Sequence, residues 1–285
     1  MSHWFPHEKR GTISGLFGTS YHMGNVISLF LAGAILLHFK WRAVFWFPAL
    51  LFFVSGIQFL ILEKDNPESA GFKPKANTEQ DSLSAENSDS GSRHFLVNPR
   101  LWQIGFASLS LNIMAWGFIY WVPTYLYEKI GYSISGAAFR TLLFPLAGCA
   151  GAVFAGWMTD KLPGYRRTPV IVVMLLLAAL LTLILPAIPS GMKIAMLICL
   201  ALMGFLIDGP HVLLAMTLAM DYGGKKRSAS AAGFVDAMNY IGAAIGAFVA
   251  GYLVDRCGWQ PAFHFWTAAV LATVVIMLPM WRNEK

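Results

Sequence analysis

The chain has 285 residues, 56% hydrophobic and 13% charged, with a mean hydropathy of +0.57, which is more apolar surface than a soluble core can hide. The composition excludes a soluble globular domain and points to an all-α polytopic membrane protein with the bilayer as its solvent. The net charge of +6 does not describe a nucleic-acid-binding face, because the lysines and arginines lie in short loops between apolar runs, where they act as topology signals.

A spanning helix needs about 20 mostly apolar residues. In chain order eight runs qualify: residues 12–37, 43–62, 99–127, 135–159, 168–188, 192–220, 228–254 and 259–281. Before them, Met1 to Gly11 carries an aromatic pair and three charges but no apolar stretch of a cleavable signal peptide, so insertion falls to the first run. Residues 63–98 are rich in Ser, Asn, Glu and Asp and too poor in apolar side chains to fold alone. They read as a flexible cytoplasmic linker dividing two helices, in residues 1–62, from six, in residues 99–285.

Fifteen Lys and Arg fall on the face that holds the N-terminus, the linker, Asp160 to Arg167, Asp221 to Arg227 and the C-terminus, against five on the other. The positive-inside rule then puts both termini in the cytoplasm. Arg140 is left over, inside a helix. Cys149 and Cys199 fall within apolar runs and Cys257 at a loop, which supports no disulfide framework and no metal site. Nucleotide-binding loops, serine-hydrolase elbows and zinc-protease helices are absent as well, so no enzyme, cofactor or metal is expected.

Polar residues at mid-membrane depth are unevenly spread. The first run holds Tyr21, His22 and Asn25; the third Asn112, Trp116 and Tyr120; the fourth Arg140; the sixth Asp208 and His211; the seventh Asp236, Asn239 and Tyr240. Runs two, five and eight hold almost nothing comparable, so they are expected to face lipid while the others line an interior cavity. An acid at the bilayer centre costs about 2.5 to 3.5 kcal/mol, against roughly 0.3 to 0.6 returned by each Leu, Ile or Phe, so Asp208 and Asp236 should have partners or a task. Gly209 and Pro210 after Asp208 predict a bend there, with His211 on the same side. Asp236, Asn239 and Tyr240 share one helix face, as do Asn112, Trp116 and Tyr120. Arg140 lies about five residues from the outer end of its helix: facing inward it is an anion ligand opposite Tyr21, His22 and Asn25, and otherwise it snorkels to the interface. Gly148, Gly151, Gly242 and Gly246 are expected to let helices approach closely.

An offset of 218 residues superimposes the first two runs on the last two. Gly15, Gly24 and Gly33 meet Gly233, Gly242 and Gly251, and Trp41, Phe45 and Phe47 meet Trp259, Phe263 and Phe265. A six-helix repeat implies a twelve-helix plan in which the first run stands fifth. On that register the chain is a portion without the first four helices, and it is not expected to transport by itself.

With that repeat, and with Gly156-Trp-Met-Thr-Asp160-Lys161-Leu-Pro-Gly164-Tyr-Arg166-Arg167 matching the cytoplasmic loop signature of glycine, acid, base, glycine and paired bases, the chain resembles the major facilitator superfamily. Within it the chain is most similar to the organophosphate:phosphate antiporters, on Glu8-Lys9-Arg10-Gly11, Trp121-Val-Pro123-Thr124-Tyr125-Leu126, Gly204-Phe-Leu-Ile-Asp208-Gly209-Pro210 and Ala231-Ala232-Gly233-Phe234 after Lys225-Lys226. The resemblance implies a secondary transporter of a small anionic organic solute such as a sugar phosphate, monomeric at full length, in the plasma (inner) membrane, working by alternating access. Its partners would be the solute and the bilayer. Asp160, Lys161, Arg166 and Arg167 would form a cytoplasmic gate, with Asp160 capping a neighbouring helix end. Two positions depart from the antiporter pattern: Ala115 stands where the seventh-helix arginine is expected, and Tyr21 where histidine is usual, with His22 beside it. A transporter-like sensor and a non-functional fragment are the alternative readings.

Overall fold

A computed structural model of the chain describes residues 5, 7–64, 71 and 98–283. The expected linker, residues 63–98, falls almost wholly outside them. The described residues form α1 (Arg10–His38), α2 (Ala43–Leu62), α3 (Pro99–Glu128), α4 (Ile134–Thr141), α5 (Leu143–Lys161), α6 (Thr168–Ile184), α7 (Lys193–Val212), α8 (Ala219–Cys257) and α9 (Trp259–Asn283), with no strand among them. Seven stretches are long and apolar enough to cross a membrane, and α1 is a further long helix against them. Large apolar side chains point outward along the bundle, Phe52, Leu60 and Ile194 among them. Only lipid solvates such a surface, so this is an integral membrane protein.

Local sequence explains the breaks. Asn98 accepts a hydrogen bond from the Arg100 amide at 3.1 Å, and Pro99 follows at the first helical position, a strong start signal for α3. The fourth apolar run is split between α4 and α5 because Pro145 cannot donate to the carbonyl one turn back, at Thr141. The bend expected at Gly209–Pro210 is displaced: α7 continues through Pro210, and the irregularity is a π-helical stretch, Leu213–Leu218. The expected loop Asp221 to Arg227 is a helical reversal. A Cβ on Gly223 would stand 2.6 Å from that of Ala231, whereas a straight helix separates positions eight apart by about 12 Å.

Helix contacts run through small residues. α1 is antiparallel to α5, with Gly11 on the backbone of Gly156, Gly15 on Ala152 and Thr19 beside Cys149. Gly151 rests on Phe205 of α7, and Gly242 and Gly246 of α8 rest on the carbonyls of Leu109 and Ile113 of α3. The apolar centre is aromatic: Trp266 of α9 is buried edge-on against Phe118 of α3, with 5.4 Å between centroids, and against Phe263 at 5.2 Å. The expectation for the bland helices is met unevenly. α2 buries no residue and α6 turns Leu176, Leu177, Leu180 and Leu183 outward. α9 exposes Val275 and Leu278 on one face yet drives Trp266, Phe263 and Met277 into the core, because it seals α3 to α6.

Gly246→Leu should force α8 off α3 and, at about 1–3 kcal/mol or more for overpacking, lower the melting temperature and the monodisperse yield of the detergent-purified chain. Gly233→Ala, where an added Cβ meets nothing within 4 Å, should leave both unchanged.

Candidate substrate site

Four helices bring polar groups to one wall. On α3, the i, i+4 stripe sets Asn112 below Trp116 and Tyr120, whose rings lie 5.5 Å apart. Tyr21 of α1 meets Trp116 edge-on at 6.4 Å, its neighbour His22 at 5.5 Å and His211 of α7 at 6.5 Å. The Tyr21 hydroxyl also faces Tyr240 of α8 and lies within electrostatic reach of Asp236 and Asp208. Asn112 is fully buried and donates to Asn239 Oδ1 at 2.7 Å and to the Ser108 carbonyl at 2.8 Å, while Asn239 reaches Asp236 Oδ1 at 3.5 Å. Tyr21, Tyr120, Asp236 and Tyr240 remain exposed beside this buried amide pair. An aromatic surface with a few fixed polar groups is suited to holding a small organic solute.

Deeper in the wall, His22 and Asp208 are 4% and 5% exposed, with His22 Nδ1 3.5 Å from Asp208 Oδ2. Asp208 Oδ2 and His22 Nε2 have no hydrogen-bond partner among the described residues. Gly148 of α5 lies directly under the Asp208 carboxyl, where no side chain would fit. Asn25 sits one turn beyond His22, half-buried.

Arg140 is elsewhere. Its guanidinium stacks on Tyr132 at 4.1 Å and donates to the Gly136 carbonyl at 3.0 Å, and Lys193, opening α7, approaches the same ring at 4.9 Å. Of the two positions the sequence left open, Arg140 thus takes the one away from Tyr21, His22 and Asn25. α4 is only eight residues long, and its arginine stays at that end of the bundle, where ring and carbonyl replace water around the charge. Ala115, which the resemblance sets where an arginine is expected, is buried.

At the opposite end, the Asp160 carboxylate accepts from the amides of Gly11 at 3.1 Å and Thr12 at 2.6 Å, so it caps the first turn of α1. Arg167, 1% exposed, donates to Asp160 Oδ1 at 2.8 Å and approaches Asp221 at 3.7 Å, and Arg10 reaches Asp221 at 3.2 Å. Two carboxylates and two guanidiniums thus tie α1, α5, the start of α6 and the turn of α8 together. Lys161 is exposed and Arg166 half-buried, and neither forms an ion pair among the described residues, so of the four residues expected at a gate Asp160 and Arg167 stand in this ion cluster. Sequence reasoning missed Asp221. Its signal was the one acid in an otherwise basic segment, Asp221 to Arg227, facing paired arginines.

The sequence pattern of the Major Facilitator Superfamily matches residues 1–246 and 141–285. The glycerol-3-phosphate transporter of Bacillus subtilis is 27% identical over 296 residues, covering 100% of this chain and 66% of that protein. A probable hexose phosphate transport protein of Chlamydia trachomatis is 26% identical, with 100% and 66% covered, and the membrane sensor protein UhpC of Escherichia coli 24% identical, with 98% and 65% covered. The chain thus spans about two thirds of the length of these relatives. With a helical bundle, a polar wall and a matching pattern across its whole length, this chain belongs to the Major Facilitator Superfamily.

Proposed function

We propose that the chain serves as part of a secondary transporter moving a small anionic organic solute, a sugar phosphate or related organophosphate, across the plasma (inner) membrane by alternating access. Residues 1–62 and 99–285 belong to two bundles joined by a cytoplasmic linker, with both termini in the cytoplasm. Two relatives carry glycerol-3-phosphate or hexose phosphate in their names, and the wall of Tyr21, Trp116, Tyr120, Asn112, Asn239 and Tyr240 supplies the rings and hydrogen-bonding groups for the organic part.

The observation that carries the reading is the Asp160 cap. It joins the start of α1 to the end of α5 through hydrogen bonds from two backbone amides, contacts that break when the bundles rock apart, while Arg167 holds the carboxylate from its own bundle. A structural role alone would not need ions at a helix crossing already sealed by Gly11 and Gly156. The sensor reading is favoured by the UhpC relative, and the two part on turnover, because a sensor binds without counterflow.

Proteoliposomes containing the complete transporter of which the chain is proposed to be part should exchange external glycerol 3-phosphate for internal phosphate with saturable counterflow. Binding without counterflow would favour the sensor. Asp160→Asn keeps the shape and removes the charge from the cap. A loss of roughly 2 kcal/mol from the closed state moves the equilibrium about thirtyfold, so exchange should fall by about that factor while helical content and insertion, read by circular dichroism and protease protection, persist. Unchanged exchange would remove Asp160 from the gate.

A further inference from the structure

A cavity of about 410 Å³ opens at the end of the bundle opposite the Asp160 cluster, between α3, α6 and α9. Its walls all come from residues 99–285: the last turns of α3, the turn Leu185–Ala187 that closes α6 with the loop after it, and the first turns of α9. α1 packs elsewhere, on α5 and α7. The aromatic part of the lining is fixed. Tyr125 stands edge-on to Trp259 at 5.0 Å and to Phe263 at 5.1 Å, and the Trp259 indole donates to Glu128 Oε2 at 3.0 Å. Tyr125 is 5% exposed and lines the cavity, yet its hydroxyl has no hydrogen-bond partner among the described residues. A tyrosine hydroxyl so far removed from water ordinarily has one. Around it the lining adds Ser190, Gln260, His264 and a lysine, Lys129, but no carboxylate. The first turn of α9, whose amides lack an acceptor within the helix, meets the same space. Such a set of donors suits an oxyanion carrying hydroxyl groups beside it.

The surface below the cavity says what kind of molecule brings that oxyanion. From Gln260 and His264, one exposed face of α9 continues through Leu271, Val275 and Leu278, and α6, packed on α9, turns Leu183, Leu180 and Leu176 outward. A polar pocket at the helix ends that leads onto an apolar face matches the two halves of a phospholipid. The phosphodiester lies at the level of the tryptophan and tyrosine rings, and the acyl chains run along the leucines. A soluble anion would use only the first half. An ammonium headgroup would need a carboxylate, and the adjacent one, Glu128, is engaged by Trp259. From this geometry we infer that the cavity between α3, α6 and α9 binds the headgroup of an anionic phospholipid of the phosphatidylglycerol class. Lys129 and the start of α9 take the phosphate, while the Tyr125 hydroxyl, Ser190 and Gln260 take the head alcohol. A lipid bound there bridges three helices and stabilises their junction. Neither the site nor its ligand depends on transport.

Native mass spectrometry of the detergent-purified chain, titrated with phosphatidylglycerol, phosphatidylethanolamine or glycerol 3-phosphate, is the test. The expected result is about one retained phosphatidylglycerol per chain, with a melting temperature that rises as the site fills. Lys129→Gln should weaken that binding about tenfold, and Tyr125→Phe, which removes a single oxygen, about fivefold. Lys40→Gln, the same loss of charge at the same end of the bundle, should leave it unchanged, because Lys40 lies in the loop between α1 and α2. Phosphatidylethanolamine should bind about tenfold more weakly, and excess glycerol 3-phosphate should not displace the lipid. No retained lipid, retention of wild-type strength in Lys129→Gln or Tyr125→Phe, an equal loss in Lys40→Gln, or equal binding of the two lipids overturns the inference. Displacement by glycerol 3-phosphate overturns it in favour of a soluble phosphate ester. Lys129 is an exposed side chain, so its variant decides even where Tyr125→Phe does not fold.

Discussion

The seam between α1 and α5 is the contact on which the other geometry depends. Its register is written in small residues at steps of four: Gly11 on Gly156, Gly15 on Ala152, Thr19 beside Cys149. Small residues let two backbones touch, and in lipid that close contact replaces the hydrophobic drive that holds soluble helices together. Asp160 fixes one end by capping the first turn of α1. From Thr12 to His22 is about 15 Å of helix, which brings His22 within one turn of the Thr19–Cys149 contact and so near Gly148. There the missing side chain on α5 leaves room for Asp208 of α7. Shift α1 by one turn, and the cap, the glycine contacts and the His22–Asp208 approach are all lost together.

The placement of charge follows from the same solvent. Fixed charges are kept at the two ends: Asp160, Arg167, Asp221 and Arg10 at one, Arg140 and Lys193 at the other. There, carboxylates, aromatic faces and carbonyls replace hydration. The middle holds the Asn112–Asn239 pair, the tyrosines, the two imidazoles and the buried Asp208. Asp236 sits on the exposed side of the wall with Asn239 as its neighbour.

Much of this was legible in the sequence because lipid imposes a simple rule on length and composition. The run at 43–62 coincides with α2, and the run at 99–127 ends one residue short of α3. Side-chain spacing placed Asn112, Trp116 and Tyr120 on one stripe, and the loop signature placed Asp160 at a helix end. What escaped depends on a third dimension. Periodicity cannot tell that Arg140 folds back onto Tyr132, since both inward and outward rotamers fit the same position. Asp221 gained meaning only when the turn of α8 was brought beside Arg167 and Arg10. The dipeptide Gly209–Pro210 predicts a weakened helix but not where the slack is taken up, and the π-helical turns at Leu213–Leu218 absorb it one turn later.

The two ends of the seam differ in kind. The Asp160 end is held by two carboxylates, two guanidiniums and two backbone amides. The His22 end holds only an imidazole 3.5 Å from a carboxyl. Between them the small residues supply a surface on which backbones meet without side chains to interlock, and the π-helical stretch after Asp208 gives α7 a local irregularity. The Asp160 end, with more and stronger contacts, therefore resists separation of α1 from its neighbours more than the His22 end does.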